Sequence, residues 1–291
     1  MSHFDATRRK FIFNPTSREP FKVSRSKIDL FMECPRCFYL DARHGVSRVR
    51  GPSFTLNVAV DALLKKEFDV HRAAGTTHPL MKAYGLDLVP FQHPDMDIWR
   101  ENFKGVQYLY KPANILVTGA VDDVWVNKVG ELIVVDYKAT AKQGRLETLS
   151  DTTWERQYRR QMEIYQWLLR QNGFNVSSTG YFLYVNGKKD AAAFDGKLEF
   201  ETTLIPHNGD DSWIEKSLML LKHCLVDERL PEAAPTCEHC QYLEKYLNVL
   251  RNRASKKDST TTKPTTKPKK NPTKKSKTTA VTRPEGKLFD M

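Results

Sequence analysis

No apolar run in the chain approaches the roughly 20 residues of a membrane span. The first residues, MSHFDATRRKFIF, lack the apolar core and small-residue cleavage site of a secretory signal. A cytoplasmic protein without membrane contact is the expectation. Internal repeats are absent, and so are helicase motifs, which leaves any unwinding of a duplex to a partner. Excess charge is missing from most of the chain as well. Of the net +11, residues 251–291 hold 13 Lys and Arg against 3 acids, leaving 33 against 32 for residues 1–250. A basic groove on that near-neutral body would have to come from arrangement, not composition.

Apolar residues make up only 40% of the 291 residues, and the shortfall is concentrated in the last forty. That Lys, Thr and Pro segment cannot bury enough surface to offset its conformational entropy, so residues 251–291 are expected to be a disordered basic tail. Either a solubilising role or a salt-sensitive contact with nucleic-acid phosphates suits it, the second better. The closing KLFDM could serve as a short docking peptide. Residues 1–20 form an N-terminal extension, and 21–250 a single domain of mixed helices and strands.

Within that domain, SRSKIDLFMECPRCFYL reads as a helix, a kink at Pro35 and a further helical turn. LNVAVDALLKKEF is an amphipathic helix, and 75–110 is loop-rich with a helix near MDIWRENF. A long helix precedes Gly173, two strands follow, and a last long helix leads into PTCEHCQYLEKYL.

Between these lies GAVDDVWVNKVGELIVVDYKAT, residues 119–140: two valine-rich strands that carry Asp122, Asp123 and Asp136. A three-residue turn, Lys128-Val129-Gly130, with Gly in the left-handed position, pairs Asn127 with Glu131 and Val124 with Val134. Asp122 then stands opposite Asp136, with Cβ atoms about 5 Å apart, and Lys138 shares their face. Opposed carboxylates between valines repel unless a cation lies between them. Two carboxylates with waters and phosphate oxygens suit Mg²⁺. The alternative is a solvent-facing hairpin edge, with Asp123 exposed and the other two acids ion-paired to Lys138. In this register Asp123 points to the opposite face.

Five cysteines complete the inventory. Cys34, Cys37, Cys237 and Cys240 fall as two C-x-x-C pairs about two hundred residues apart, a pattern that argues for a closed metal site in a cytosolic protein. Zinc and an iron–sulfur cluster both take four thiolates. Cys224 reads as a small buried hydrophobe.

The G-x-x-D on one strand and D-x-K on the next resemble the core of the PD-(D/E)XK nuclease superfamily, in its RecB-like branch. The resemblance implies a restriction-endonuclease-like α/β fold, a central mixed sheet flanked by helices. It makes Asp122 and Asp136 ligands of Mg²⁺ or Mn²⁺, and Lys138 the catalytic lysine. Val121 stands where the superfamily name has proline, a common departure in this branch. Gln161 and Tyr165 match the branch's Q-x-x-x-Y on the following helix. Asp61 occupies the place of a histidine ligand on an early helix. CPRCFYL with the late CEHC is similar to CRISPR-associated RecB-like exonucleases and AddB-type subunits, whose [4Fe–4S] cluster staples the chain ends together. Those use one early and three late cysteines against two and two here, which keeps Zn²⁺ as the alternative. The implied activity is metal-dependent hydrolysis of DNA, single-stranded or at duplex ends, in repair, recombination or defence, with a helicase or other repair or defence protein as possible partner. The competing expectations are a non-catalytic nucleic-acid-binding protein and a metal-stapled scaffold.

Overall fold

The computed structural model describes residues 11–49, 51, 54–144 and 146–258. It divides into a unit of residues 1–242 and a second of residues 243–291. Most of the expected tail, 259–291 with its KLFDM end, lies outside the described residues, as do residues 1–10 of the N-terminal extension.

Strand β1 (Phe21–Ser24) leads into α1 (Arg25–Glu33) and α2 (Pro35–His44). The expected kink falls at Cys34, which ends α1 and caps α2, with Pro35 in the first turn where its missing N–H costs nothing. Helix α3 (Thr55–Ala74) carries Asp61. The stretch read as loop-rich contains α4 (Pro79–Ala83), β2 (Leu88–Pro90), α5 (Met96–Trp99) and β3 (Val106–Tyr110). These pieces are too short for periodicity to register. Pro90 closes β2, an edge strand, where proline sacrifices no ladder bond. Then come β4 (Ile115–Gly119), β5 (Asp123–Asn127), β6 (Leu132–Thr140), α6 (Thr153–Gln171), β7 (Thr179–Gly187), β8 (Phe200–Asn208), α7 (Ile214–Val226) and α8 (Glu238–Asp258). Helix α8 runs past position 251, where the tail was expected to start.

The expected central mixed sheet is present, and a second, smaller sheet accompanies it. A three-stranded sheet has the order β1-β4-β3, and a five-stranded mixed sheet the order β2-β5-β6-β7-β8. Strands β6 and β7 are parallel, joined by the crossover helix α6, the usual connection for parallel neighbours. Residues 132–137 of β6 are buried throughout, because α3 covers one face of the strand and α6 the other. One apolar cluster gathers Val124, Val134, Ile164, Leu168 and Phe182, and the other Phe68, Trp125, Ile133, Val135 and Leu183. The hairpin therefore sends alternate side chains into two cores.

Candidate active site and cysteine cluster

The hairpin register is the expected one. Val124 pairs with Val134 and Asp123 with Val135. Gly130, at φ +79°, closes the turn, and the Asn127 amide donates to the Glu131 carbonyl at 3.1 Å. Asp122 sits one residue before β5, so its carboxylate is free to turn towards β6. There its Oδ2 accepts the Tyr137 amide at 2.9 Å.

Asp136 is fully buried. Its Oδ1 accepts Gln161 Nε2 at 2.7 Å, and its Oδ2 is ion-paired with Lys138. Gln161 lies 3.0 Å from the Tyr165 hydroxyl, and its Oε1 faces Lys138 Nζ at 3.4 Å. Asp122, Asp136, Lys138, Gln161 and Tyr165 thus share one corner of the molecule. Helix α6 begins with the box Thr152-Thr153-Trp154-Glu155, in which Thr152 Oγ1 accepts the Glu155 amide. It ends at Gln171, with Gly173 at φ +88° just beyond. Gly119 explains how closely that helix approaches. A Cβ there would stand 2.7 Å from Tyr165 Cε1 and 2.9 Å from Leu168 Cδ1. The glycine of G-x-x-D is the gap into which Tyr165 packs.

The electrostatics show strain of one sign. Burial, and next the Asp136 charge, push Asp122 up to about 6, against the pull of Lys138 and Lys65. Burial disfavours the Lys138 ammonium, but Asp136 and Asp122 more than offset this and hold its pKa above the usual value. Two close carboxylates, one of them unable to ionise easily, form a hard-oxygen pair that fits a divalent cation.

Sequence reading missed three neighbours. Tyr158, one turn before Gln161, places its ring 4.5 Å from Lys138 Nζ. Arg25, at the start of α1, faces Tyr165, Asp29 and Asp136. Lys65 stands 2.8 Å from Asp61 Oδ2 and 3.8 Å from Asp122 Oδ1. The i, i+3, i+7 spacing of Tyr158, Gln161 and Tyr165, and the i, i+4 spacing of Asp61 and Lys65, were available signals. Asp61 therefore meets Asp122 through a lysine. Among the described residues, no group of three or more carboxylates, imidazoles or thiols gathers at the hairpin.

The idea of an exposed Asp123 is overturned. Asp123 is fully buried on the opposite face, where it pairs with Arg72 and, at 3.1 Å, with Arg100. It also accepts the Tyr137 hydroxyl at 2.8 Å and its own neighbour's amide, Val124 N, at 2.8 Å. Tyr137 thus joins the two acids, its amide on Asp122 and its hydroxyl on Asp123.

All four expected cysteine ligands are buried and converge, their sulfurs within 4.8 Å of one another. Cys37 Sγ lies 3.4 Å from Cys240 and 3.6 Å from Cys237, and Cys34 lies 3.8 Å from Cys240. Cys224, half-buried against the main core, takes no part. Beside the cluster, Trp154, Arg48, Arg156, Gln157 and Arg160 line a groove of about 780 Å³.

The profile of the PD-(D/E)XK nuclease superfamily matches residues 59–244, most of the chain and all of the hairpin site. The chain belongs to that superfamily. Among solved structures, the crystal structure of SSO0001 aligns over 78% of this chain and 86% of its own, at 14% identity and a TM-score of 0.37. No curated protein matches the chain. Among the described residues, no helix is long and apolar enough to cross a membrane.

Proposed function

We propose that this chain is a Mg²⁺- or Mn²⁺-dependent DNA nuclease of the RecB-like branch, acting in repair, recombination or defence. The observation that carries the reading is the convergence of Asp122, Asp136, Lys138 and Gln161 at one end of the β5–β6 hairpin. The bound ion would supply a Lewis acid for the phosphoryl oxygens and lower the pKa of an attacking water. Asp122 and Asp136 are the ligands in this proposal. Asp61, held by Lys65, would join them only when that lysine turns away.

Tyr137 fixes Asp122 through its amide, and Gln161 fixes Asp136 through its carboxamide, so both acids are oriented before any ion arrives. Lys138 stays an ammonium between the acids and the Tyr158 ring. That suits it to orient water and to stabilise charge on the phosphate, rather than to abstract a proton. Gln161, with its donors spent on Asp136 and Tyr165, positions more than it binds. In the groove, exposed Trp154 offers a stacking face for a nucleic-acid base, and exposed Arg156 offers a contact for its backbone.

The second reading, a nucleic-acid binder without turnover, draws on Lys65, a protein cation already held beside Asp122. One comparison separates them. Wild type should cut single-stranded or duplex-end DNA with Mn²⁺ and stop with EDTA, and Asp136→Ala should not cut. An Asp136→Ala protein that cuts as fast as wild type refutes the assignment, while tight DNA binding with no metal-dependent cleavage favours the binder.

A further inference from the structure

The four cysteines are built as two matching half-sites. In each C-x-x-C pair the first cysteine stands at the threshold of a helix and the second lies one turn inside. Cys34 caps α2 with Cys37 in its first turn, and Cys237 directly precedes α8 with Cys240 in its first turn. Each pair therefore presents two sulfurs from the N-terminal end of one helix. Two further donors point inward. The Ala234 amide lies 3.5 Å from Cys34 Sγ, and Arg48 Nη2 lies 3.3 Å from Cys237 Sγ. Leu30, Ala233 and Ala234 pack against the cluster as apolar neighbours.

The spacing of the sulfurs decides what this cage can hold. A tetrahedral zinc with Zn–S bonds of about 2.3 Å has S···S edges of about 3.8 Å. Three of the six separations, 3.4, 3.6 and 3.8 Å, lie close to that edge, and all six fall within 4.8 Å. A [4Fe–4S] cluster makes a different demand. Each thiolate binds its own iron at a separate corner of a cube and points outward. The sulfurs are then parted by an iron–iron edge plus the outward splay of two Fe–S bonds. A set that fits within 4.8 Å encloses one ion and has no space for eight cluster atoms.

From this geometry we infer that Cys34, Cys37, Cys237 and Cys240 hold a single tetrahedral Zn²⁺, not an iron–sulfur cluster, and that Arg48 is its charge-compensating partner. Four thiolates around Zn²⁺ leave a net charge of −2, and the Arg48 guanidinium, also paired with Glu33 at 2.6 Å, offsets part of it. The ion would tie the start of α2 to the start of α8 across two hundred residues of chain. The inference does not depend on the nuclease reading, because metal content is measured without a substrate.

The test uses the full chain, purified without oxygen from iron-supplemented cells. Metal analysis should find about one zinc per chain, in a protein with no visible colour. Incubation with ferrous iron and sulfide should leave the zinc in place and raise no charge-transfer band. Cobalt(II) exchanged for the native metal should give the strong visible bands of a tetrahedral thiolate site. Arg48→Gln should fold normally and lose zinc to a chelator roughly 10- to 100-fold more readily, the range for removing a partner of a metal ligand. Iron at about four per chain with a brown colour, cluster assembly at the expense of zinc, or a metal-free protein that refuses zinc would each overturn the inference.

Discussion

Replacing Asp122 by Asn should stabilise the protein when no divalent metal is present and remove its response to metal. In the fold Asp122 titrates near 6 against an ordinary value of 3.8, raised first by burial and then by Asp136. A folded acid with a raised pKa costs stability once it must ionise. That cost is absent below pH 4, grows between about pH 4 and 6, and stays level above. About two pKa units at roughly 1.4 kcal/mol each set a ceiling near 3 kcal/mol. Asn keeps the bond from the Tyr137 amide, the pull of Lys65 is already inside the value of about 6, and solvent screening of a side chain 23% exposed takes about 1 kcal/mol off that ceiling. The net gain is about 1–2 kcal/mol, or about 3–6 °C in Tm for a domain of this size. Thermal melts in EDTA at pH 4, 5 and 7.5 give the measurement. The Asn variant should match wild type at pH 4 and exceed it at 7.5. Adding Mn²⁺ at pH 7.5 should raise the Tm of wild type only. A variant that is less stable at every pH, or that gains as much from Mn²⁺ as wild type, refutes the claim that opposed carboxylates form the metal site.

Gly119→Ala drives a methyl into Tyr165 and Leu168, and overpacking of that kind costs about 1–3 kcal/mol; denaturant melts should show the loss, and DNA cleavage should fall with it as Tyr165 is pushed off Gln161. Asp123→Ala leaves Arg72 and Arg100 buried around an empty place, which costs about 3–5 kcal/mol. In the folded fraction, calorimetric Mn²⁺ affinity should nonetheless stay within a few-fold of wild type, and a loss as large as that of Asp136→Ala would show Asp123 to be a ligand.

The hairpin could be read from sequence because its constraints are local. A turn of three residues with Gly130 in the left-handed position fixes every pairing upstream, so the meeting of Asp122 and Asp136 follows from counting. The cysteine pairs were legible for a similar reason, since C-x-x-C at a helix start sets two thiols side by side. What escaped depends on contacts distant in sequence. Arg25 reaches Tyr165 across 140 positions, and Lys65 reaches Asp122 across 57. Asp123 looked like a surface acid because its partners, Arg72 and Arg100, come from α3 and from the end of α5. Periodicity sees neither approach. The second, smaller sheet was hidden too, because β1 pairs with β4 only after ninety residues of intervening chain.

The two candidate metal centres differ in how the chain manages without its ion, and this bears on their roles. At the hairpin, protein cations stand beside both carboxylates: Lys138 on Asp136 and Lys65 near Asp122. The repulsion is partly met before any metal binds, so the fold can tolerate an ion that comes and goes with substrate. Four converging thiols have less internal relief. Arg48 and the backbone amides of Ala234 and Cys37 face them, and Arg48 alone of these brings a full positive charge. Side chains of α2 already hold the segment that leads into α8, with Arg36 Nε on the Pro231 carbonyl at 2.8 Å and the Tyr39 hydroxyl on the Asp227 carbonyl at 3.1 Å, and the ion would complete that tie at the cysteines themselves. The proposal of an exchangeable hard cation at Asp122 and Asp136 and of a permanent one at the cysteines thus rests on one comparison: how much compensating charge the chain brings to each place.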